Sequence, residues 1–217
     1  PLLQPRPLDF GTMEQHLLEQ EADIVVACFG MNESFDGPAG IEAFQESLRE
    51  FITSIRDLAP GGSEPEIVLV SPIAHEDLGG DLPDGEQHNR DLADYTEAIR
   101  AVAHEQGARF VDLHSPTLRR MADRTAAPIT INGIHLNDEG NRIAAETMMQ
   151  SLFGSQPTVD WEALDPLRLA VVEKNRQFFH RYRPINSYYV MGGRRNPFGV
   201  VNFPAEMAKL DGMVRRR

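Results

Sequence analysis

Three short apolar runs alternate with amphipathic segments in the first 154 residues of this 217-residue chain. The runs occupy residues 23–29, 66–71 and 109–113 and have the sequences DIVVACF, EIVLVS and RFVDL. Apolar runs of this length, rich in β-branched residues, are typical of parallel strands buried on both faces. Because parallel strands are joined by right-handed crossovers, the pattern predicts an α/β domain with helices on both faces of the sheet.

The segments between the runs carry the signals expected of those helices. One helix is indicated by apolar residues that recur at spacings of three and four and form a single stripe: Ile41, Phe44, Leu48, Phe51, Ile55 and Leu58. Further helices are expected at residues 12–20, from about 90 to 106, at 116–123 and at 138–153. Residues 12–15 have the spacing of a capping box, which should begin the first of these helices.

Residues 155–217 differ in composition from the domain formed by residues 1–154. The net charge is −12, yet residues 155–217 carry 11 Lys and Arg against 6 Asp and Glu, which leaves −17 on residues 1–154. An acidic body argues against nucleic acid as the main partner. The later segment is interpreted as a helical, aromatic and basic C-terminal extension, with helices at 160–182 and from about 205. Whether it lies on the acidic body, on an acidic neighbour or in solvent stays open.

Cysteine and histidine usage restricts the possible chemistry. The single cysteine, Cys28, excludes an intramolecular disulfide, and its place in the first apolar run predicts a small buried side chain. We expect no metal and no cofactor, because several histidines show no metal-ligand spacing: His16, His88, His104, His114 and His180. No apolar run approaches the length of a membrane span. The compartment stays open, with a periplasmic or secreted location in a bacterium as one option.

Two polar loops are candidates for a site. Residues 30–34, GMNES, follow the first apolar run, and ligands of open α/β sheets bind at this carboxyl edge. Residues 129–141, ITINGIHLNDEGN, place His135 between a glycine turn and the polar residues that open the last helix of the domain. A lone loop histidine is more often structural or solvated, so a catalytic role for His135 needs partners from the rest of the chain.

The order of these loops resembles that of the SGNH, or GDSL-type, hydrolases. GMNE at residues 30–33 resembles the third block of that family, G-x-N-D, and NGIH at residues 132–135 resembles its fifth block, D-x-x-H. LNDEGN resembles the usual run into the last helix, and GMNESF, SPIAHED and FVDL are similar to one bacterial subgroup. The resemblance covers roughly residues 7–153.

The resemblance implies a three-layer α/β/α, flavodoxin-like fold and a serine esterase. Its substrate would be a small ester with an acetyl or short acyl group, carbohydrate esters being one option. His135 would act as the general base, and Asn132 would take the place of the residue that orients its imidazole. Asn32 and Gly30 would belong to the oxyanion hole. The departures below leave a second hypothesis open, a non-catalytic binding or interaction module of a larger multidomain protein.

The first departure from the family concerns the nucleophile. The serine of the first block, G-D-S, has no counterpart, since no serine precedes Ser34 and none of Ser34, Ser71 and Ser115 matches that block. We therefore expect the nucleophile and the first two strands of the sheet to lie outside this chain. The 217 residues alone should be an inactive, incomplete domain. The run at residues 23–29 should have an open edge, which favours self-association or contact with further domains.

The second departure is Asn132, where the family has an aspartate. An amide oxygen can accept the imidazole N–H but cannot stabilise an imidazolium by charge. Asp138 or Glu139 could supply a carboxylate instead, or the two could charge the start of the last helix. Glu33, Ser34 and His75 are predicted to line the site. Glu33 would also fix the conformation of its loop. For His75, a solvated position on its loop is the alternative.

Overall fold

The computed structural model describes residues 12–123, 125–154, 160–182 and 200–216. The chain divides into two compact units, Pro1–Gln156 and Pro157–Arg217. The boundary expected after residue 154 adjoins residues 155–159, which lie outside the described ranges.

The first unit contains a parallel β-sheet with helices on both faces. Its strands pair in the order β1-β2-β3, with Val26 of β1 opposite Val68 of β2 and Leu69 of β2 opposite Phe110 of β3. The predicted α/β fold is therefore confirmed. In chain order the elements are α1 (Met13–Gln20), β1 (Ile24–Cys28), a 3₁₀ segment (Glu33–Gly40), α2 (Ile41–Leu58), β2 (Glu66–Val70), α3 (Glu86–Gln106), β3 (Arg109–Val111), α4 (His114–Met121) and α5 (Asp138–Phe153).

Local signals in the sequence explain where these helices begin and end. The Thr12 hydroxyl accepts the Gln15 N–H, and the Gln15 side chain accepts the Thr12 N–H, so the predicted capping box begins α1. α3 begins at Glu86, a few residues earlier than expected, and ends at Gly107, whose φ of 62° is readily adopted by glycine.

Two apolar clusters cover the two faces of β2. On one face Ile67 and Leu69 pack against α2 and α3, and on the other Val68 and Val70 pack against α5 together with Val111 of β3. All four of these β2 side chains are buried, as expected for a central parallel strand. The sheet thus forms the middle of three layers, and the carboxyl ends of its strands point toward the two candidate loops.

The first strand is not buried on both faces, so this part of the sequence prediction is wrong. Ala27 is buried under α2 and α3, but Ile24 and Val26 point to the other face and are 58% and 48% exposed. Cys28 is exposed as well, which corrects the prediction of a buried thiol. The physical reason is that α5 covers β2 and β3 but does not reach β1. Within the described residues β1 pairs only with β2, so the predicted open edge is present.

The second unit is a pair of helices, α6 (Trp161–Tyr182) and α7 (Val200–Arg215), that pack against each other. α7 begins five residues earlier than the sequence analysis placed it. Gln177 is buried, whereas large apolar side chains of α6 such as Leu167, Val172 and Phe178 are exposed. None of the described helices combines the length and the apolar character needed to cross a bilayer.

The exposed face of β1 predicts self-association of the 217-residue chain. Ile24 and Val26 form an apolar patch beside a strand edge that pairs with no other described residue, and open edges pair with other chains. Sedimentation velocity should show oligomers that grow with protein concentration. Ile24→Lys combined with Val26→Lys should shift the distribution toward monomer. Leu118→Lys, at an exposed leucine of α4, is the matched control and should change nothing. A wild-type chain that stays monomeric at every concentration would contradict this prediction.

Candidate active site

The loop that carries His135 is a closed turn at the start of α5. A bridge between Thr130 and Leu136 joins its two sides, and the Ile131 N–H donates to the His135 carbonyl at 2.8 Å. Gly133 lies at the tip with a φ of 92°, a conformation that glycine adopts without strain. We call residues 129–137 the histidine loop.

The buried carboxylate of Glu76 holds the histidine loop from beneath. It accepts the backbone N–H groups of Ile129 at 3.0 Å and Thr130 at 2.8 Å, and the Thr130 hydroxyl at 2.6 Å. The Glu76 N–H in turn donates to the Gly133 carbonyl at 2.9 Å. Glu76 is 6% exposed, so these bonds replace the water that its charge has lost. The sequence analysis did not single out Glu76, although it lies in the SPIAHED segment.

The imidazole of His135 is oriented by Asn132. The Asn132 side-chain oxygen lies 2.9 Å from His135 Nδ1 and also accepts the His135 N–H at 3.1 Å. Both residues are exposed. If Nδ1 carries the proton that this contact requires, Nε2 retains its lone pair and is the atom able to accept a proton.

The two carboxylates considered as substitutes for an orienting acid lie at the start of α5. Glu139 pairs with Arg142, whose Nε lies 3.0 Å from Glu139 Oε2, and Asp138 belongs to the first turn of the helix. Asn137 is the N-cap and accepts the Gly140 N–H at 3.0 Å. The structure therefore favours the helix-start interpretation, because His135 Nδ1 contacts Asn132 instead.

The loop after β1 presents the Asn32 side chain to solvent. Asn32 precedes the 3₁₀ segment but does not cap it with its side chain, so its amide is not committed to the turn. Gly30 allows the turn with a φ of 106°, and a Cβ there would lie 3.1 Å from Ile99 Cδ1. The Gly30 N–H donates to Glu33 Oε2 at 2.9 Å. The Gly30 amide is thus engaged within its own loop, and Glu33 fixes that loop.

Two histidines connect the loop after β1 with the histidine loop. Ser34 Oγ lies 2.8 Å from His88 Nε2, and His88 Nδ1 lies 3.0 Å from His75 Nδ1. The His75 ring lies directly against Gly133, where an added Cβ would be 2.8 Å from His75 Nε2. His75 is buried, so the alternative of a solvated loop position is wrong. Ser34 and His75, both predicted to line the site, are therefore joined through His88, which the sequence analysis considered only as a metal ligand.

Burial and charge both act on His88. Burial lowers the pKa of His88 below the ordinary value of a histidine, and the neighbouring His75 lowers this pKa further. The ring also stacks on Phe35, with 4.2 Å between the ring centroids. A lowered pKa keeps His88 neutral near pH 7, so that one of its nitrogens can accept a hydrogen bond.

The side chains of Glu33 and His75 border separate cavities, each of about 360 Å³. Phe29, Phe44 and Tyr95 make the cavity beside Glu33 mainly apolar. The lining of the cavity beside His75 combines the carboxylates of Asp77, Asp84 and Glu86 with the apolar side chains of Leu118 and Met121. Ser34 is fully buried and does not face solvent.

The serines near the strand ends have other partners. Ser34 donates its hydroxyl to the Met31 carbonyl at 2.8 Å. Ser71 is buried and accepts the Leu113 N–H at 2.8 Å, and the Ser115 hydroxyl donates to an Asp112 carboxylate oxygen at 2.7 Å. None of the serines in the described part of the chain has a hydrogen bond to His135. Across the same residues, no group of three or more acidic, histidine or cysteine side chains could hold a metal ion.

Comparison with known families identifies the chain. A family model described as the GDSL-like Lipase/Acylhydrolase family matches residues 5–143. The chain belongs to the GDSL-like lipase/acylhydrolase family. This confirms the resemblance seen in GMNE and NGIH, and it assigns the chain to a family of carboxylic ester hydrolases. No curated protein matches the chain in sequence.

Solved structures of GDSL-like esterases share the fold. A mutant of Axe2, an acetyl-xylooligosaccharide esterase from Geobacillus stearothermophilus, is 17% identical with a TM-score of 0.51, over 67% of this chain and 66% of that one. A peptidoglycan O-acetylesterase is 21% identical with a TM-score of 0.51, over 64% and 39%. The acetyl xylan esterase AlAXEase is 20% identical with a TM-score of 0.50, over 65% and 72%. The chain thus spans slightly less than two thirds of the Axe2 mutant's length.

The contacts of Glu76 predict a large effect of a small substitution. Glu76→Gln keeps the shape of the side chain but places an NH₂ group where the carboxylate accepts N–H and O–H groups. Because buried donors would be left without an acceptor, the free energy of unfolding should fall by about 1–3 kcal/mol in urea denaturation. Glu50→Gln, at an exposed glutamate of α2, is the matched control and should change it by less than about 0.5 kcal/mol. Equal effects of the two substitutions would contradict the role of Glu76.

Proposed function

We propose that this protein is the base-bearing part of a serine ester hydrolase that removes acetyl or other short acyl groups, with acetylated carbohydrate as the substrate class. The observation that carries the proposal is the 2.9 Å contact between Asn132 Oδ1 and His135 Nδ1. It leaves Nε2 of an exposed imidazole as the proton acceptor, on a loop that a buried carboxylate holds in place. Membership of the GDSL-like family makes ester hydrolysis the matching chemistry.

In this proposal His135 acts as general base and then as general acid. Its Nε2 accepts the proton of the serine hydroxyl as that oxygen attacks the ester carbonyl, and it returns the proton to the leaving alcohol. Asn132 holds the ring in the required orientation and tautomer. Because its amide is neutral, it stabilises the imidazolium less than the aspartate usual in the family would.

Asn32 is the oxyanion donor of the proposal. Its amide is exposed and does not cap the 3₁₀ segment, so its NH₂ can donate to the negative oxygen of the tetrahedral intermediate. One such donor contributes about 10²–10³ in rate. Gly30 contributes the turn that places Asn32, while its own N–H is held by Glu33. We therefore assign the donor role to Asn32 and a structural role to Gly30.

The nucleophile is placed outside the described residues. Ser34 and Ser71 are buried, and the hydroxyl of Ser115 is bound to Asp112. The proposal thus requires a serine outside the described residues to approach His135 Nε2.

Acetyl esters of glycans are favoured by the names of the structural relatives. The three structures compared above are an acetyl-xylooligosaccharide esterase, a peptidoglycan O-acetylesterase and an acetyl xylan esterase. These names describe those proteins, and they support the same ester class here. The net charge of −12 also favours a neutral ester over an anionic one, because like charges repel at long range.

The first test removes the proposed base. His135→Ala in the natural protein at its full length should lower kcat for p-nitrophenyl acetate by about 10²–10⁴-fold, the usual contribution of a general base. The matched control is His104→Ala, at an exposed histidine of α3, which should leave kcat unchanged. Unchanged turnover in His135→Ala would reject the mechanism.

The second test restores the residue usual in the family. Asn132→Asp keeps an oxygen beside His135 Nδ1 and adds a negative charge that stabilises the imidazolium. The loss in the opposite direction, aspartate to asparagine in a serine protease, is about 10⁴ in kcat. We therefore expect kcat for p-nitrophenyl acetate to stay the same or rise. A large loss would show that the amide has a role of its own.

A non-catalytic binding module is the second candidate function. The observation in its favour is that no serine in the described ranges contacts His135, although the imidazole is exposed. The two candidates differ in what precedes Pro1 in the natural protein: a G-D-S after an apolar strand favours the enzyme. We expect no turnover from the 217-residue chain alone, and His135-dependent hydrolysis by that chain would overturn the placement of the nucleophile elsewhere.

A further inference from the structure

Two side-chain hydrogen bonds and one ring contact connect the two loops of the candidate site. This chain of contacts begins at Ser34, two residues after Asn32, and passes through His88 to His75. It ends where the His75 ring meets Gly133, two residues before His135. The loop of the proposed oxyanion donor and the loop of the proposed base are thus connected through His88 and His75, which belong to neither loop.

With a neutral His88, one assignment of protons uses every contact in this chain. Because the Ser34 hydroxyl donates to the Met31 carbonyl, its oxygen accepts from the His88 Nε2–H. His88 Nδ1 is then the acceptor, and it takes the Nδ1–H of His75 at 3.0 Å. His88 thus carries a single N–H, on Nε2. The lowered pKa of His88 agrees with this arrangement, which needs a lone pair on that ring.

The rings are held from several sides. Asn89 accepts the His75 N–H at 2.7 Å and donates to the His75 carbonyl at 2.8 Å. His88 stacks on Phe35 at 4.2 Å. The two imidazoles meet edge to face, with an interplanar angle of 90°. The His75 ring lies between His88 and Gly133, and Gly133 has no side chain that would separate this ring from the histidine loop.

We propose that His88 and His75 are positioning residues for the ester hydrolysis proposed above, because their hydrogen bonds set the distance between the loop of Asn32 and the loop of His135. The inference rests on the proposed function. Its physical basis is that an oxyanion donor and a base must meet the same carbonyl group, and a displacement of about 1 Å can cost about 10²-fold in rate. Neither imidazole touches the reacting atoms in this role.

Two other roles for the same residues conflict with their surroundings. Ser34 and His88 do not form a nucleophile and base, because Ser34 is 0% exposed and its hydroxyl is donated to Met31. The histidine pair does not form a metal site either, since the described residues offer no third ligand beside it. The burial and the hydrogen bonds of these residues both agree with a structural link between two loops.

Two substitutions at His88 separate hydrogen bonding from ring shape. His88→Phe retains an aromatic ring to stack on Phe35 but has neither the donor nor the acceptor. His88→Gln lacks the ring, but its amide can donate to Ser34 and accept from His75. We expect His88→Phe to lower kcat for p-nitrophenyl acetate by about 10- to 100-fold with an unchanged KM, and His88→Gln to recover most of the loss.

The controls address folding and general histidine effects. His104→Gln, at an exposed histidine, should leave both constants unchanged. Ser34→Ala removes the hydrogen bond between Ser34 and His88 and serves as the second variant if His88→Phe does not fold. It should also lower kcat. Unchanged kcat in the folded variants overturns the inference. Equal losses in His88→Phe and His88→Gln overturn it as well, because ring shape would then be the only requirement.

A spectroscopic measurement on the 217-residue chain keeps this inference separate from the proposed function. Nitrogen NMR should show a coupling across the hydrogen bond between the Nδ1 atoms of His75 and His88. His88→Phe should abolish it and shift the Gly133 amide and His135 ring signals, and His88→Gln should reverse most of that shift. Signals of Gly133 and His135 that do not respond overturn the positioning role. Full-length protein that is inactive, or active without His135, overturns the proposed function instead.

Discussion

The candidate site depends on a carboxylate that is buried beneath a loop. An ionised group removed from water is costly unless hydrogen-bond donors surround it, and Glu76 is surrounded by the N–H groups of Ile129 and Thr130 and by the Thr130 hydroxyl. If the loop shifted while Glu76 stayed buried, the carboxylate would lose the donors that replace water. This penalty keeps the His135 backbone in one place while its ring stays accessible to solvent.

The same loop is also held from its side. Gly133 rests on the His75 ring, and His75 continues through His88 to Ser34 in the loop after β1. Parallel strands bring the carboxyl ends of β1 and β2 to one edge of the sheet, but strand pairing does not determine the positions of the loops beyond that edge. Side-chain hydrogen bonds supply the remaining constraint. The fold thus provides the approximate position of the site, and buried polar residues provide its detailed geometry.

Elements with periodic or capping signals were the predictable part of this structure. The stripe on α2 and the cap of α1 gave both helices their observed bounds, and GMNE and NGIH identified the family. The exposure of β1 could not be predicted, because an apolar run contains no information on whether a neighbouring layer reaches it. The pairing of His75 with His88 was missed for a related reason. Those residues are 13 apart, and only the return of the loop to α3 brings their rings together.

The contact between the Asn132 amide and the His135 ring has a consequence for the effect of salt. A carboxylate that faces an imidazolium is a charge pair, and dissolved ions weaken such pairs when they are exposed. An amide oxygen that accepts an N–H carries no net charge. The exposed ring of this protein should therefore keep its orientation across a wide range of ionic strength, at the cost of a smaller electrostatic contribution once the ring is protonated. In the proposed mechanism, Asn132 therefore stabilises an imidazolium less than an aspartate would, but its contact with the ring is not weakened by salt.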